Sequence, residues 1–166
     1  MSDPQQRKSY EVGHRPKFMV VADDTPEFDR ALFFAARRAA RTSSGVVILA
    51  VVAPQAQQEW LGVGDLMQAE AEEAARSALA TAAARVRAIA GLDPEQVLRT
   101  GIKADEIVRH IEQDEDISLL ILAAGTGGEG PGPLVASFAA KGAASFPIPV
   151  VIVPGHLADR TLEALT

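Results

Sequence analysis

The chain has 166 residues, of which 48% are hydrophobic and 23% are charged, and its formal net charge is −6. This composition is typical of one globular domain with a sizeable core. The negative net charge argues against electrostatic binding of nucleic acid or of an anionic membrane over a broad surface. Because the chain contains no cysteine, disulfides, thiolate metal sites and thiol catalysis are excluded.

The first segment, residues 1–16, is polar and lacks the apolar stretch of a signal peptide. We expect it to be a flexible N-terminal arm. No apolar run in the chain reaches the ~20 residues that a membrane-spanning helix needs. We therefore expect a soluble, cytoplasmic protein.

Short apolar runs alternate with helical patterns along the rest of the chain. The runs predict strands at residues 17–24, 46–54, 96–101, 118–124 and 149–154. Apolar residues at helical spacing predict helices that begin near Thr25, Leu66, Ala104 and Pro133. Thr25 is the predicted N-cap of the first helix, and residues 55–65, which include Trp60, are predicted to form a loop.

This alternation is typical of parallel βαβ units with right-handed crossovers. The sequence therefore predicts a single α/β domain over residues 17–154, with a five-stranded, doubly wound parallel sheet, followed by a C-terminal tail at 155–166. In such sheets ligands bind outside the carboxyl ends of the strands, where the strand order reverses.

A glycine-rich loop, "LAAGTGGEGPGPLVAS" (Leu122–Ser137), follows the fourth strand and precedes the last helix. Its glycines permit backbone conformations that point N–H groups at a phosphate. Against this, Pro131 and Pro133 have no N–H group, Glu129 adds a negative charge, and no Lys or Arg lies between Gln113 and Ala140. The G-x-G-x-x-G pattern at 125–130 lacks the acid expected after the next strand, which disfavours a dinucleotide site.

Several polar residues have structural interpretations. We expect Ser137 to cap the start of the last helix. The histidines are expected at the surface, because their spacing suggests no metal site (His14, His110 and His156). An acidic turn is expected to be solvated rather than metal-binding, and no metal ligands are predicted (Glu112, Asp114, Glu115 and Asp116).

Three segments resemble the universal stress protein (UspA-like) family: "KFMVVADDTPEFDRAL", "TGIKADEIVRHIEQDEDISLLILAAG" and "SFAAKGAASFPIPVVIVP". Together they extend over about Lys17–Pro154. The resemblance implies an adenine nucleotide alpha hydrolase-like fold and a homodimer that pairs the last strand, here Val150–Val153.

Many members of that family bind ATP through Gly-x-x-Gly, nine further residues and Gly-Ser or Gly-Thr. Without gaps, the three motif glycines fall on Ala123, Thr126 and Ala136, and only Ser137 keeps the expected type. A shifted alignment uses the four residues 125–128 but leaves too few residues before Ala136. The resemblance therefore implies a degenerate site, and its candidate residues are Asp23 (ribose), Val51 (adenine), Gly125, Thr126, Gly127, Gly128 and Ser137.

Asp23 and Val51 also have structural interpretations, as a strand-end acid that caps the turn into Thr25 and as a core residue. Two functions follow from the resemblance. The first is a non-enzymatic, homodimeric stress-response or signalling module that acts through a protein partner or a weakly held ligand such as AMP or adenosine. The alternative is an ATP-binding switch that requires Mg²⁺ and has slow ATP hydrolysis or serine autophosphorylation.

Overall fold

A computed structural model describes residues 7–55, 62–141 and 146–166. Its strands are β1 (Lys17–Val21), β2 (Gly45–Val52), β3 (Glu95–Thr100), β4 (Ile117–Ala124) and β5 (Val150–Pro154). Its helices are α1 (Phe28–Thr42), α2 (Val63–Ala90), α3 (Lys103–Gln113), α4 (Pro133–Lys141) and α5 (Asp159–Leu165). The predicted loop around Trp60 lies outside the described residues, and α2 begins at Val63 rather than at Leu66.

All five strands are parallel and form one sheet in the order β3-β2-β1-β4-β5. This confirms the predicted doubly wound α/β architecture. Strands β2 and β3 lie in sequence on one side of β1, and β4 and β5 lie on its other side. The order of the strands therefore reverses beside β1, where a crevice opens at their carboxyl ends.

Alternate residues of the strands enter two hydrophobic cores, one on each face of the sheet. Phe18 and Val20 pack with α1 and α2, whereas Met19 and Val21 pack with α3 and α4. All four side chains are buried because β1 is central and covered on both faces. Among the described residues, no helix is both long enough and apolar enough to cross a membrane.

The turn between β1 and α1 differs from the prediction. Helix α1 begins at Phe28, and Glu27 at its N-cap position makes no capping hydrogen bond through its side chain. Asp23 Oδ1 instead accepts hydrogen bonds from the backbone N–H and the hydroxyl of Thr25, at 2.9 and 2.5 Å. The prediction of Thr25 as the N-cap is wrong because this local turn delays the first helical residue.

The described part of the N-terminal segment is anchored to the amino end of the sheet. The Arg7 guanidinium donates hydrogen bonds to the carbonyl oxygens of Ile111, Asp114 and Ile117, at 2.9, 2.8 and 2.6 Å. Ser9 is buried. The end of a helix leaves carbonyl groups without partners, and Arg7 supplies donors for two of them at the end of α3. The start of the described chain is therefore in contact with the folded domain through Arg7.

The acidic turn after α3 is also tied to basic residues. The pairs are Asp114 with Lys17 at 2.9 Å, Glu115 with Lys8 at 3.2 Å and Asp116 with His14 at 2.7 Å. The expectation of a merely solvated turn is wrong, because the N-terminal segment returns to this end of the sheet.

His110 is not a surface residue as expected. Its side chain is half-buried, Nδ1 lies 3.3 Å from Arg99 Nη1, and Nε2 is buried without a hydrogen-bond partner among the described residues. Burial and the neighbouring Arg99 charge lower the pKa of His110, which favours a neutral imidazole. Arg99 also donates to Glu106 at 2.7 Å, so it joins β3 to α3.

The C-terminal tail contains a short helix, α5. Leu162 is buried against α1, where it joins the first core. Two ion pairs hold α5 in place, Arg30 with Asp159 at 2.7 Å and Arg37 with Glu163 at 3.3 Å. Helix α5 thus packs against α1.

Candidate functional site

A cavity of about 870 Å³ opens at the carboxyl ends of β1 and β4. The β1–α1 turn, the start of α3, the loop between β4 and α4, and the first turns of α4 form its walls. Its place at the reversal of strand order is where doubly wound sheets bind ligands. Its volume is in the range of small-molecule sites, so it is the candidate functional site of the described chain.

The cavity brings together four of the residues that the sequence singles out: Asp23, Gly125, Gly127 and Ser137. Thr126 and Gly128 belong to the same loop but do not line the cavity. Val51 lies near the carboxyl end of β2, where it packs against the second core. The four predicted residues that line the cavity thus follow β1 or β4, the two strands that flank the reversal.

Asp23 lines the cavity near the end of β1. Its side chain is half-buried, and Oδ1 accepts both hydrogen bonds from Thr25. Oδ2 has no hydrogen-bond partner among the described residues. The structural interpretation of Asp23 as a turn-capping acid is therefore correct, and the same carboxylate still has an acceptor for a ligand hydroxyl.

Ser137 lies inside α4 and not at its start. Helix α4 begins at Pro133, and the Gly132 carbonyl oxygen accepts the first helical hydrogen bond from Ala136 N, at 3.0 Å. The prediction that Ser137 caps this helix is therefore wrong. Its position, one turn into the helix, places it in the cavity wall.

Few backbone donors of the glycine-rich loop are free to bind an anion. Gly125 N donates to Pro131 O and Gly130 N donates to Gly127 O, both at 3.2 Å. Pro131 and Pro133 line the cavity but have no N–H group. The glycines therefore allow the backbone conformation of the loop. Gly130, for example, has φ +87°, a value that other residues rarely adopt.

Charge in the cavity is unevenly distributed. Four carboxylates line it (Asp23, Asp24, Glu27 and Glu129), and Lys103 is the only basic residue among its described lining residues. The sequence analysis missed Lys103. It follows β3 as Asp23 follows β1, so its position indicated the carboxyl edge of the sheet but not this cavity.

Two glycines, Gly125 in the cavity lining and Gly155 directly after β5, allow neighbouring segments to approach closely. A Cβ atom at Gly155 would lie 2.8 Å from the Ala124 carbonyl oxygen and would also meet Glu27 Cγ. A Cβ atom at Gly125 would lie 3.1 Å from the Gly130 carbonyl oxygen. Because neither glycine has a side chain, the end of β4, the segment after β5 and the turn before α1 can pack closely together.

A second cavity of about 590 Å³ lies beside the edge strand β5. Its lining is mainly apolar and includes Phe138 and Phe146, whose rings meet edge to face with centroids 5.0 Å apart. Ile152 of β5 lines it and is 48% exposed. Among the described residues no cluster of three or more His, Asp or Glu side chains is arranged to hold a metal ion.

A model of the universal stress protein family matches residues 14–154. The solved structure of universal stress protein UspA from Lactobacillus plantarum has a TM-score of 0.70 at 17% identity, covering 83% of this chain and 97% of that one. A universal stress protein in complex with cAMP has a TM-score of 0.59 at 20% identity, covering 84% and 97%. One from Archaeoglobus fulgidus in complex with dAMP has a TM-score of 0.56 at 20% identity, covering 83% and 97%. A search of curated proteins gave no match.

Proposed function

The chain belongs to the universal stress protein family, and we propose that it is a non-enzymatic stress-response module whose cavity holds an adenine nucleoside or its monophosphate. The observation that carries this proposal is the cavity itself, with the unpaired Oδ2 of Asp23 in its wall. That oxygen can accept a hydrogen bond from a ribose hydroxyl. Two structures with the same fold hold cAMP and dAMP, each with a single phosphate.

The charge of the cavity supports a small ligand over a triphosphate. Each carboxylate near a phosphate opposes binding by an energy on the order of 1 kcal/mol at a partly screened site. Four carboxylates line this cavity, and two glycine N–H groups of the loop are already bonded to loop carbonyls. A triphosphate therefore meets more repulsion and fewer donors than a nucleoside or a monophosphate.

Replacing Asp23 with asparagine is expected to weaken adenosine binding about tenfold or more, because the variant loses the charged acceptor at Oδ2. The amide oxygen of asparagine can still accept the hydrogen bonds from Thr25, so the turn and the melting temperature should change little. The measurement is isothermal titration calorimetry of adenosine, AMP and ATP with Mg²⁺ into nucleotide-stripped protein.

The matched control is Asp65→Asn, which makes the same change in charge at an exposed position on α2. It should bind adenosine as the unmodified protein does. Absence of adenosine and AMP binding in the unmodified protein would contradict the proposal, as would an Asp23→Asn variant with unchanged affinity.

The ATP-binding switch remains the second candidate, because Ser137 lines the cavity and matches the family's phosphate-binding serine. In that case Mg²⁺ would accompany ATP, and Ser137 would be the site of autophosphorylation. The same calorimetric series tests this: micromolar binding of ATP that exceeds AMP binding, with a phosphate mass added on incubation, would favour the switch.

We also propose that the protein is a homodimer through Val150–Val153 of β5. This strand is the edge of the sheet, and an exposed apolar edge favours pairing with another chain. Ile152→Lys should convert the dimer to a monomer in light scattering, because it places a charge in the pairing edge. Leu165→Lys, at an apolar residue that is 60% exposed on α5, should leave the dimer intact. A monomeric unmodified protein would contradict the proposal.

A further inference from the structure

We infer that Lys103 recognises the phosphate of the ligand, so that a nucleoside monophosphate lies with its phosphate toward α3 and not toward the glycine-rich loop. This inference rests on the proposed function, because it orients a ligand within the same cavity. It assigns a specificity-determining role to a residue that the family motif does not include.

The distribution of charge within the cavity carries the inference. The β1–α1 side presents Asp23, Asp24 and Glu27, and the loop side presents Glu129. Only the α3 side presents a cation, and Lys103 has neither an ion-pair nor a hydrogen-bond partner among the described residues. Lys103 is therefore the one charged donor among the described lining residues, and a phosphate beside it gains a charge-assisted hydrogen bond.

The backbone around Lys103 favours the same placement. Lys103 is the first residue of α3, and Ile102 at the N-cap position makes no capping hydrogen bond through its side chain. The N-terminal end of a helix carries partial positive charge from its unbonded N–H groups. Two carboxylates, Asp105 and Glu106, lie in the same first turn, and neither lines the cavity. Glu106 is buried and already paired with Arg99 and Arg109.

The loop side offers less. Gly125 and Gly130 have used their N–H groups within the loop, and the two prolines have none. Of the lining residues in this loop, only Gly127, Glu129 and Gly132 keep an N–H group without a partner inside the described structure. One of these three carries the negative side chain. The first turns of α4 add the N–H groups of Leu134 and Val135 and the Ser137 hydroxyl, but they add no positive side chain, so this side lacks the charge that Lys103 supplies.

This arrangement defines the ligand class. The ligand has a sugar diol that meets Asp23 and a single phosphate that meets Lys103. A nucleoside lacks the second interaction, and a triphosphate extends its additional negative charge toward carboxylates. The cavity should therefore prefer AMP to both adenosine and ATP.

The test is calorimetric titration of AMP and of adenosine into the nucleotide-stripped full chain and its variants. Lys103→Gln should weaken AMP binding roughly ten- to a hundredfold and change adenosine binding less than about twofold. Lys103→Arg should retain most of the AMP affinity, because it keeps the charge. Lys8→Gln, which removes one positive charge at the opposite end of the sheet, should leave both affinities unchanged.

Salt provides a second readout that a merely structural role of Lys103 would not produce. AMP affinity should fall as NaCl is raised in the unmodified protein, and this dependence should largely disappear in Lys103→Gln. If AMP binds Lys103→Gln as tightly as the unmodified protein, or binds the unmodified protein more weakly than adenosine does, the inference is overturned while the proposed function stands. If the unmodified protein binds neither compound, both are overturned.

Discussion

Arg7→Ala is expected to lower the free energy of unfolding by about 2–3 kcal/mol, because hydrogen bonds from a charged group are worth more than neutral ones. The Arg7 side chain donates to three carbonyl groups, at the end of α3 and the start of β4. Alanine leaves these partly buried carbonyls without donors and releases the N-terminal segment. Urea denaturation followed by circular dichroism measures the change.

Lys8→Ala is the matched control for this prediction. Lys8 is adjacent in the chain and pairs with Glu115 at 3.2 Å, but its side chain is 48% exposed. Exposed ion pairs contribute about 0–1 kcal/mol, so the loss should be small. Equal losses for the two variants would contradict the assigned role of Arg7, and so would an Arg7→Ala variant as stable as the unmodified protein.

Gly155→Ala is expected to lower the free energy of unfolding by about 1–3 kcal/mol, which is typical of a methyl group forced into an occupied space. The new Cβ atom would lie 2.8 Å from the Ala124 carbonyl oxygen. That oxygen cannot move freely, because it accepts the hydrogen bond from Gly155 N at 2.9 Å. Glu27, on the other side, would be displaced within the cavity, so adenosine binding should weaken as well.

Gly128→Ala makes the same chemical change where there is room for it. A Cβ atom at Gly128 has no neighbour within 4 Å, and its backbone is not among those with positive φ. A Gly→Ala change at a compatible position tends to stabilise slightly, because it restricts the unfolded chain. Thermal unfolding of both variants distinguishes them, and comparable destabilisation would show that the close packing at Gly155 has no special importance.

Much of the fold could be predicted because it depends on short-range patterns. A few neighbouring residues are enough to predict each element. The apolar run at 118–124 predicts β4, and the helical spacing of Ile107 and Ile111 predicts α3. Right-handed crossovers then leave few arrangements for five alternating strands, and the doubly wound sheet is one of them. The local pattern also predicted Asp23 to be an acid that ends a strand and caps the following turn, whereas its assignment to ribose came from the family resemblance.

The candidate site depended more on tertiary structure. Gly125, Gly127 and Ser137 are close in sequence, yet only the packed loop shows that they line the cavity while Thr126 and Gly128 do not. Whether loop N–H groups face a ligand is decided by the hydrogen bonds that the loop makes within itself. A count of glycines contains no such information.

What the sequence determined by itself is therefore the order of elements, the parallel sheet and the edge at which a ligand would bind. Only the tertiary structure decided that Arg7 binds a carbonyl 104 positions away, and that Lys103 shares a cavity with Asp23. The physical reason is that backbone preferences and hydrophobic periodicity act over a few residues, whereas these contacts form when packing of the two cores brings distant segments together. A single sequence does not show which distant residues come into contact in this way.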